Sequence, residues 1–167
     1  MKLHRDTDLK LPFMASLQSL LLFSSDNSHS EVARRLFSNI KSESNFPNPG
    51  KDSVSVNYLI ELTQVPDEEE ELLGLSIIEN LLRWKWGFQA FFANSRAKEY
   101  LLVRLPKSMA LAQRQYDVMK VANLMCTETQ GLIEGETVSR ILQYLNDGAF
   151  GENAKKQFDP SVASKGM

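Results

Sequence analysis

Apolar residues recur along this chain at helical spacing, segment after segment. No two stretches alternate in the way that paired strands would. A lone strand has no hydrogen-bonding partner, so the pattern confines the chain to all-α architectures. The one ambiguous stretch is Asp52 to Val65. There Val54, Val56, Tyr58, Ile60 and Leu62 alternate, while Val54, Tyr58, Leu62 and Val65 fit a helix equally well. The helical flanks decide it in favour of a helix.

Seven or eight helices are expected. Pro12 to Phe23 reads as the first, with Pro12 in its opening turn and Phe13, Leu17, Leu20 and Leu21 on one face. Ser28-His29-Ser30-Glu31 has the form of a capping box for the second, whose stripe is Val32, Leu36, Phe37 and Ile40. Arg34 and Arg35 lie off that stripe and face solvent. Lys41 to Lys51, with Pro47, Pro49 and Gly50, is a loop. Pro66 and Asp67 precede Glu68, Glu69, Glu70 and Glu71, and carboxylates in a first turn complement the helix dipole. Leu72, Leu73, Leu75, Ile77, Ile78, Leu81 and Leu82 follow on more than one face, which marks a centrally buried helix. Arg83 and Lys85 sit at its C-terminal end.

The stretch from Trp84 to Phe92 is the most aromatic and is read as core. Gly87 within it allows a close helix approach or a turn. Arg96 to Arg104 makes a short helix ended by Pro106. Lys107 to Cys126 makes a long one with two stripes: Leu111, Val118, Ala122 and Met125, and Met109, Ala112, Tyr116 and Met119. A last helix runs from Glu136 or Thr137 through Val138, Ile141, Leu142 and Leu145, and Asn146-Asp147-Gly148 stops it with a left-handed cap. The organisation expected is a helical-repeat domain over 1–150, with a flexible polar tail over 151–167. Helices and turns alternate at intervals of about 40 residues, within the range of HEAT and armadillo repeats.

The chemistry of the chain is sparse. It carries 19 basic and 21 acidic residues, a net charge of -2, which argues against a dedicated nucleic-acid binder. Its basic residues are dispersed. No apolar run reaches the roughly 18 residues that would span a membrane. The N-terminal residues lack the pattern of a signal peptide. Cys126 stands alone, so no intrachain disulfide forms; it is read as a buried structural thiol. No sequon for N-glycosylation occurs, and together these features point to a reducing compartment. The two histidines, His4 and His29, lie in a terminus and in the capping box. Neither metal-ligand spacing nor a phosphate-binding glycine loop is found. The expectation is therefore a binding module without catalytic residues, metal or cofactor, since helical stacks expose long faces to partners. The candidate protein-binding residues are the exposed charges Glu68, Glu69, Glu70, Glu71, Arg34 and Arg35. A small helical enzyme would need a deep polar pocket near Cys126 or near Trp84 and Trp86.

Three stretches carry a resemblance. Trp86-Gly87-Phe88-Gln89-Ala90-Phe91-Phe92-Ala93-Asn94-Ser95 resembles a segment near the C-terminus of the family of 26S proteasome non-ATPase regulatory subunit 5. Tyr116-Asp117-Val118-Met119-Lys120-Val121-Ala122-Asn123 is similar to that family's Y-E-L-V-K-A-L-A helix. Tyr144-Leu145-Asn146-Asp147-Gly148-Ala149-Phe150 is similar to its Y-L-S-E-G-P-Y ending. Order and spacing agree from Trp84 to Phe150. The resemblance implies an armadillo/HEAT-like solenoid, and a chaperone that helps assemble the base of the proteasome's 19S regulatory particle. It implies the C-terminal domain of a base ATPase subunit as partner, and a location in the cytoplasm and nucleus. The family is longer, so the chain looks like its C-terminal portion, and missing N-terminal repeats would dock on one apolar end. The matched residues are turn and core residues, so no binding residue is carried over from them. The alternative is an unrelated HEAT/armadillo scaffold or adaptor.

Overall fold

A computed structural model describes residues 7–23, 29–40, 51–104 and 108–151. Eight helices account for most of them: α1 (Thr7–Phe23), α2 (Ser30–Ser38), α3 (Lys51–Thr63), α4 (Glu68–Leu82), α5 (Lys85–Ala93), α6 (Ser95–Leu102), α7 (Met109–Glu128) and α8 (Gly135–Asn146). No strand occurs among the described residues. The all-α expectation holds, and the ambiguous stretch is the helix α3.

Several helices have a local start or stop signal. Asp67 caps α4, its carboxylate accepting the Glu70 N–H at 3.0 Å. Asn94 caps α6 through the Ala97 N–H at 3.0 Å, and Ser108 caps α7 through the Leu111 N–H at 3.2 Å. Gly148, at φ +76°, ends α8 in the left-handed conformation its sequence announces.

Several expectations need correction. Pro12 lies inside α1, which already begins at Thr7. It stands on the exposed side, where water can satisfy the carbonyl that loses its donor. The N-cap of α2 is His29, with no side-chain capping bond, and Ser28 lies outside the described residues. Glu31 pairs with Arg35 instead, at 3.2 Å. On α2 the buried residues are Ala33 and Phe37, while Val32 and Leu36 are exposed. Met109 and Leu142 are also exposed, and Cys126 is half-buried. Lys85 opens α5 and does not close α4. The loop residues 41–50, Pro106 and the tail from 152 onward fall outside the described residues.

The core is organised around α4. Leu75, Ile77, Ile78, Leu81 and Leu82 are all fully buried. They occupy more than one face because α4 has neighbours on several sides. It packs most extensively on α7 and α1, then on α3, and also on α5. Met14, Leu17 and Leu21 of α1 and Val118, Met119 and Ala122 of α7 belong to the same apolar cluster. Further contacts join α3 to α6 and α7 to α8.

Two glycines make this packing possible. A Cβ on Gly74 would fall 1.9 Å from Thr63 Cγ2. One on Gly87 would fall 2.3 Å from the Leu81 carbonyl oxygen, so the turn from α4 into α5 closes only around a residue without a side chain.

Polar side chains then lock the elements together. Asn94 is buried at the α5–α6 junction. Its amide donates to Ser53 Oγ at 2.9 Å and Asn57 Oδ1 at 3.0 Å, both on α3. Gln115 of α7 is buried and donates to the Leu101 carbonyl at 2.7 Å, so it satisfies the end of α6. Trp84 Nε1 donates to the Leu21 carbonyl at 3.3 Å and does the same for α1. Arg104 reaches the Tyr144 and Ala149 carbonyls at 2.5 and 2.9 Å, with its guanidinium 3.6 Å above the Tyr144 ring. This clamp holds the end of α8.

Two stability predictions follow from these contacts. Replacing Gly by Ala inside an ordinary helix stabilises it by roughly 0.5–1 kcal/mol. Gly87→Ala is expected to do the reverse and lower stability by about 1–3 kcal/mol in urea unfolding, because the new methyl meets a backbone carbonyl. Asn94→Ala is expected to cost about 2–3 kcal/mol, from the lost cap and the stranded Asn57 amide. A midpoint within error of wild type for either variant would contradict the corresponding contact.

Candidate functional site

The six candidate charges divide into two groups at opposite ends of α3. The 13 residues of α3 rise about 20 Å. The acidic group opens α4, beside the C-terminal end of α3. Three of its four members are occupied within the fold. Glu70 pairs with Lys10 of α1. Glu71 accepts a hydrogen bond from the Tyr100 hydroxyl at 3.3 Å, and Glu68 accepts one from Ser108, the α7 cap, at 2.9 Å. Glu69 is exposed. This end of α4 therefore serves as an anchor for α1, α6 and α7, besides completing the dipole.

Burial at that anchor shows in the phenol it holds. Desolvation pushes the Tyr100 pKa well above its ordinary value near 10, and the Glu71 carboxylate beside it adds to the effect, against a bond to Thr63. The Tyr144 phenol is also pushed up by burial, with Arg104 opposing. Between α6 and α8, the hydrogen bond from Arg140 holds the Glu99 carboxyl below its ordinary range.

The basic group sits elsewhere. Arg34 reaches Asp52 at 2.9 Å, an aspartate that also accepts from the Ser38 hydroxyl. Arg35 reaches Glu31. Both arginines line an open groove of about 780 Å³ between α2, the first turn of α3 and α5. Trp86, Gln89, Ala90 and Ala93 form its α5 wall.

Trp86 is the residue that sequence reasoning missed, having assigned the whole aromatic stretch to the core. Trp84, Phe88, Phe91 and Phe92 are buried, but Trp86 is only half-buried and packs on Phe37 with ring centroids 5.7 Å apart. The signal was present. Residues 86, 89, 90 and 93 share one helical face, opposite that of Phe88 and Phe92. A smaller recess of about 350 Å³ lies on the other side of Trp86, bounded by Arg83, Lys85, Met125 and Glu128. The Trp86 indole N–H is shielded from water and meets no acceptor. Among the described residues it is the one buried side-chain donor in that state.

Cys126 is half-buried and packed against the core, and burial pushes its thiol pKa up, which keeps it protonated at neutral pH. Among the described residues no group of three or more His, Cys, Asp or Glu could hold a metal ion, and no helix is long and apolar enough to cross a membrane. Comparison with protein-family models, curated proteins and solved structures finds no match for this chain.

The raised phenol pKa values set a pH dependence. The folded protein keeps the Tyr100 and Tyr144 protons where the unfolded chain would release them. Their contribution is complete below pH about 10 and is lost as the pH rises above it. Urea midpoints are expected to fall from about pH 10 upward, less steeply in Tyr100→Phe. Identical slopes in wild type and variant would exclude Tyr100 as a source of the effect.

Proposed function

We propose that this chain is a protein-binding module of armadillo/HEAT type, acting as the C-terminal part of a chaperone that assists assembly of the proteasome's 19S regulatory base. The observation that carries the repeat reading is the order of packing. The long helices α1, α4 and α7 lie side by side, each third in chain order, and α3 packs on α6 in the same step. A three-helix unit repeated along the chain produces that order, because each unit buries its apolar face against the next. On this reading α1–α3 and α4–α6 are two units, and α7–α8 begin a third.

The family reading is supported by the resemblance over Trp84 to Phe150. Its quoted residues hold positions that shape the fold: Gly87 at the α4–α5 turn, Asn94 at the α6 cap, Tyr144 under Arg104, and Gly148 at the end of α8. The partner on this reading is the C-terminal domain of a base ATPase subunit, met in the cytoplasm or nucleus. The absence of catalysis is part of the same proposal. The alternative, an unrelated HEAT/armadillo scaffold or adaptor, shares the repeat architecture and differs in its partners.

Affinity purification of the tagged protein from cell lysate separates the two. Recovery of base ATPase subunits without the 20S core is the result expected of an assembly chaperone. Recovery of other proteins and no proteasome component would reject that role and favour the adaptor.

A further inference from the structure

Helix α1 ends the row formed by α1, α4 and α7, and α4 is the helix on which it packs most. Its inner face, with Met14, Leu17 and Leu21, is buried there. Lys10 is the one charged residue from Leu9 to Leu22, and it also turns inward, to pair with Glu70. What stays outside is apolar or small. Leu9 is 70% exposed, Leu22 57%, Leu11 47% and Phe13 37%, and Ala15 and Ser19 lie exposed between them. A helix face in water ordinarily carries charge. The exposed residues of α2, α4, α5, α6, α7 and α8 include Glu31, Glu69, Lys85, Glu99, Lys120 and Glu136 in turn. Over Leu9 to Leu22 the exposed side of α1 shows none. A helix that is apolar on both sides is built for neighbours on both sides.

Two observations say what covers this face. The first is continuity. Helix α4 has a long helix on either side of it, so the row has a place beyond α1 for one more. The second is charge. An unpaired charge buried in an interface is costly, so the occupant must itself present an uncharged helix. Within this molecule the exposed face that meets the condition is that of α1. A two-fold dimer sets one patch against its own copy, which demands a patch free of like-charge repulsion.

We propose that this chain pairs with a second copy of itself through the outer face of α1. The two-fold axis crosses the helix near Ala15, halfway along the face, and the two α1 helices run antiparallel. Ala15 and Ser19 are small enough for the backbones to approach, and Leu9, Leu11, Phe13 and Leu22 close over the contact from either side. The pairing continues the row of α7, α4 and α1 into the same row of the partner, reversed. It goes beyond the assembly-chaperone reading and does not depend on it. The face is about 21 Å long and about 10 Å wide. That is less than the roughly 800 Å² per partner of a standard interface, so the association is expected to be reversible and concentration-dependent.

Sedimentation equilibrium of the full chain, over about a hundredfold range of concentration, tests the pairing. The mean mass is expected to rise with concentration toward that of two chains. Ala15→Glu and Ala15→Lys place good helix formers on an exposed face, and their circular dichroism melts at low concentration are expected to match wild type. Each variant alone is expected to weaken association at least about tenfold, because like charges meet at the axis. An equimolar mixture of the two is expected to restore it as a mixed dimer. Leu142→Glu, on the exposed side of α8, is expected to leave association unchanged. A wild-type chain that stays monomeric throughout would overturn the proposal and leave the face to preceding repeats of a longer chain. Association of Ala15→Glu equal to wild type, a mixture no more associated than its components, or loss of association in Leu142→Glu would overturn it as well. The chaperone reading is decided by the affinity purification, whichever way these masses fall.

Discussion

The structure depends on the burial of α4 from several sides at once. Leu75, Ile77, Ile78, Leu81 and Leu82 are wholly removed from water, and the helix packs on α7, α1, α3 and α5. Apolar side chains of this size each contribute roughly 1.5–3 kcal/mol when buried. Without α4 the amphipathic helices α1 and α7 would have no common surface, and α3 would lose the helix that crosses it at Gly74. The four carboxylates that open α4 serve the same end. They favour the helix through its dipole, and three of them reach out to fasten α1, α6 and α7. That use explains why an acidic run that looks like an interaction patch in the sequence is mostly engaged by neighbouring helices of the fold.

Apolar burial is non-directional, so a stack of short helices could slide or rotate within it. Polar side chains remove that freedom here. Asn94 ties α6 to α3, Gln115 ties α7 to the end of α6, Trp84 ties α5 to the end of α1, and Arg104 ties α8 to the turn that follows α6. Most of these bonds end on carbonyls at helix termini, which have no backbone N–H donor of their own. The three ties that end on helix-terminal carbonyls cap an element and align two at the same time. The segments on which the proposed family reading rests coincide with several of these junctions. A short motif at a junction constrains geometry more than one on a helix face, because a turn tolerates fewer residues.

Helix identity was legible, and most bounds to within two residues, because helical periodicity, caps and stop signals act within one or two turns; the start of α1, five residues before Pro12, was not. Burial was legible on α4, where apolar residues cover more than one face, and on the Leu111, Val118, Ala122 and Met125 stripe of α7. It failed in part on α2, where the stripe read was Val32, Leu36, Phe37 and Ile40: Phe37 is buried and Ile40 packs on the core, but Val32 and Leu36 are exposed and Ala33 is buried in their place. Phe37 meets the Trp86 ring, and nothing in nine residues of α2 could reveal the side from which its neighbours approach. The candidate surface was half legible. Arg34 and Arg35 were rightly placed in solvent. Trp86 was assigned to the core, because its aromatic neighbours dominated the reading, though its position opposite Phe88 and Phe92 distinguished it.

The amino-acid sequence by itself determined that the described residues fold into helices, where most of those helices start and stop, and that α4 lies at the centre. These outcomes rest on local hydrogen bonding and on how many faces of a helix are apolar. Only the tertiary structure decided that α1, α4 and α7 lie side by side, that the acidic run anchors rather than projects, and that two arginines and a tryptophan from distant segments share one groove. The reason is physical. An apolar stripe states how much surface must be buried but not against what, and the choice of partner is made by shape and by polar ties between residues far apart in the chain.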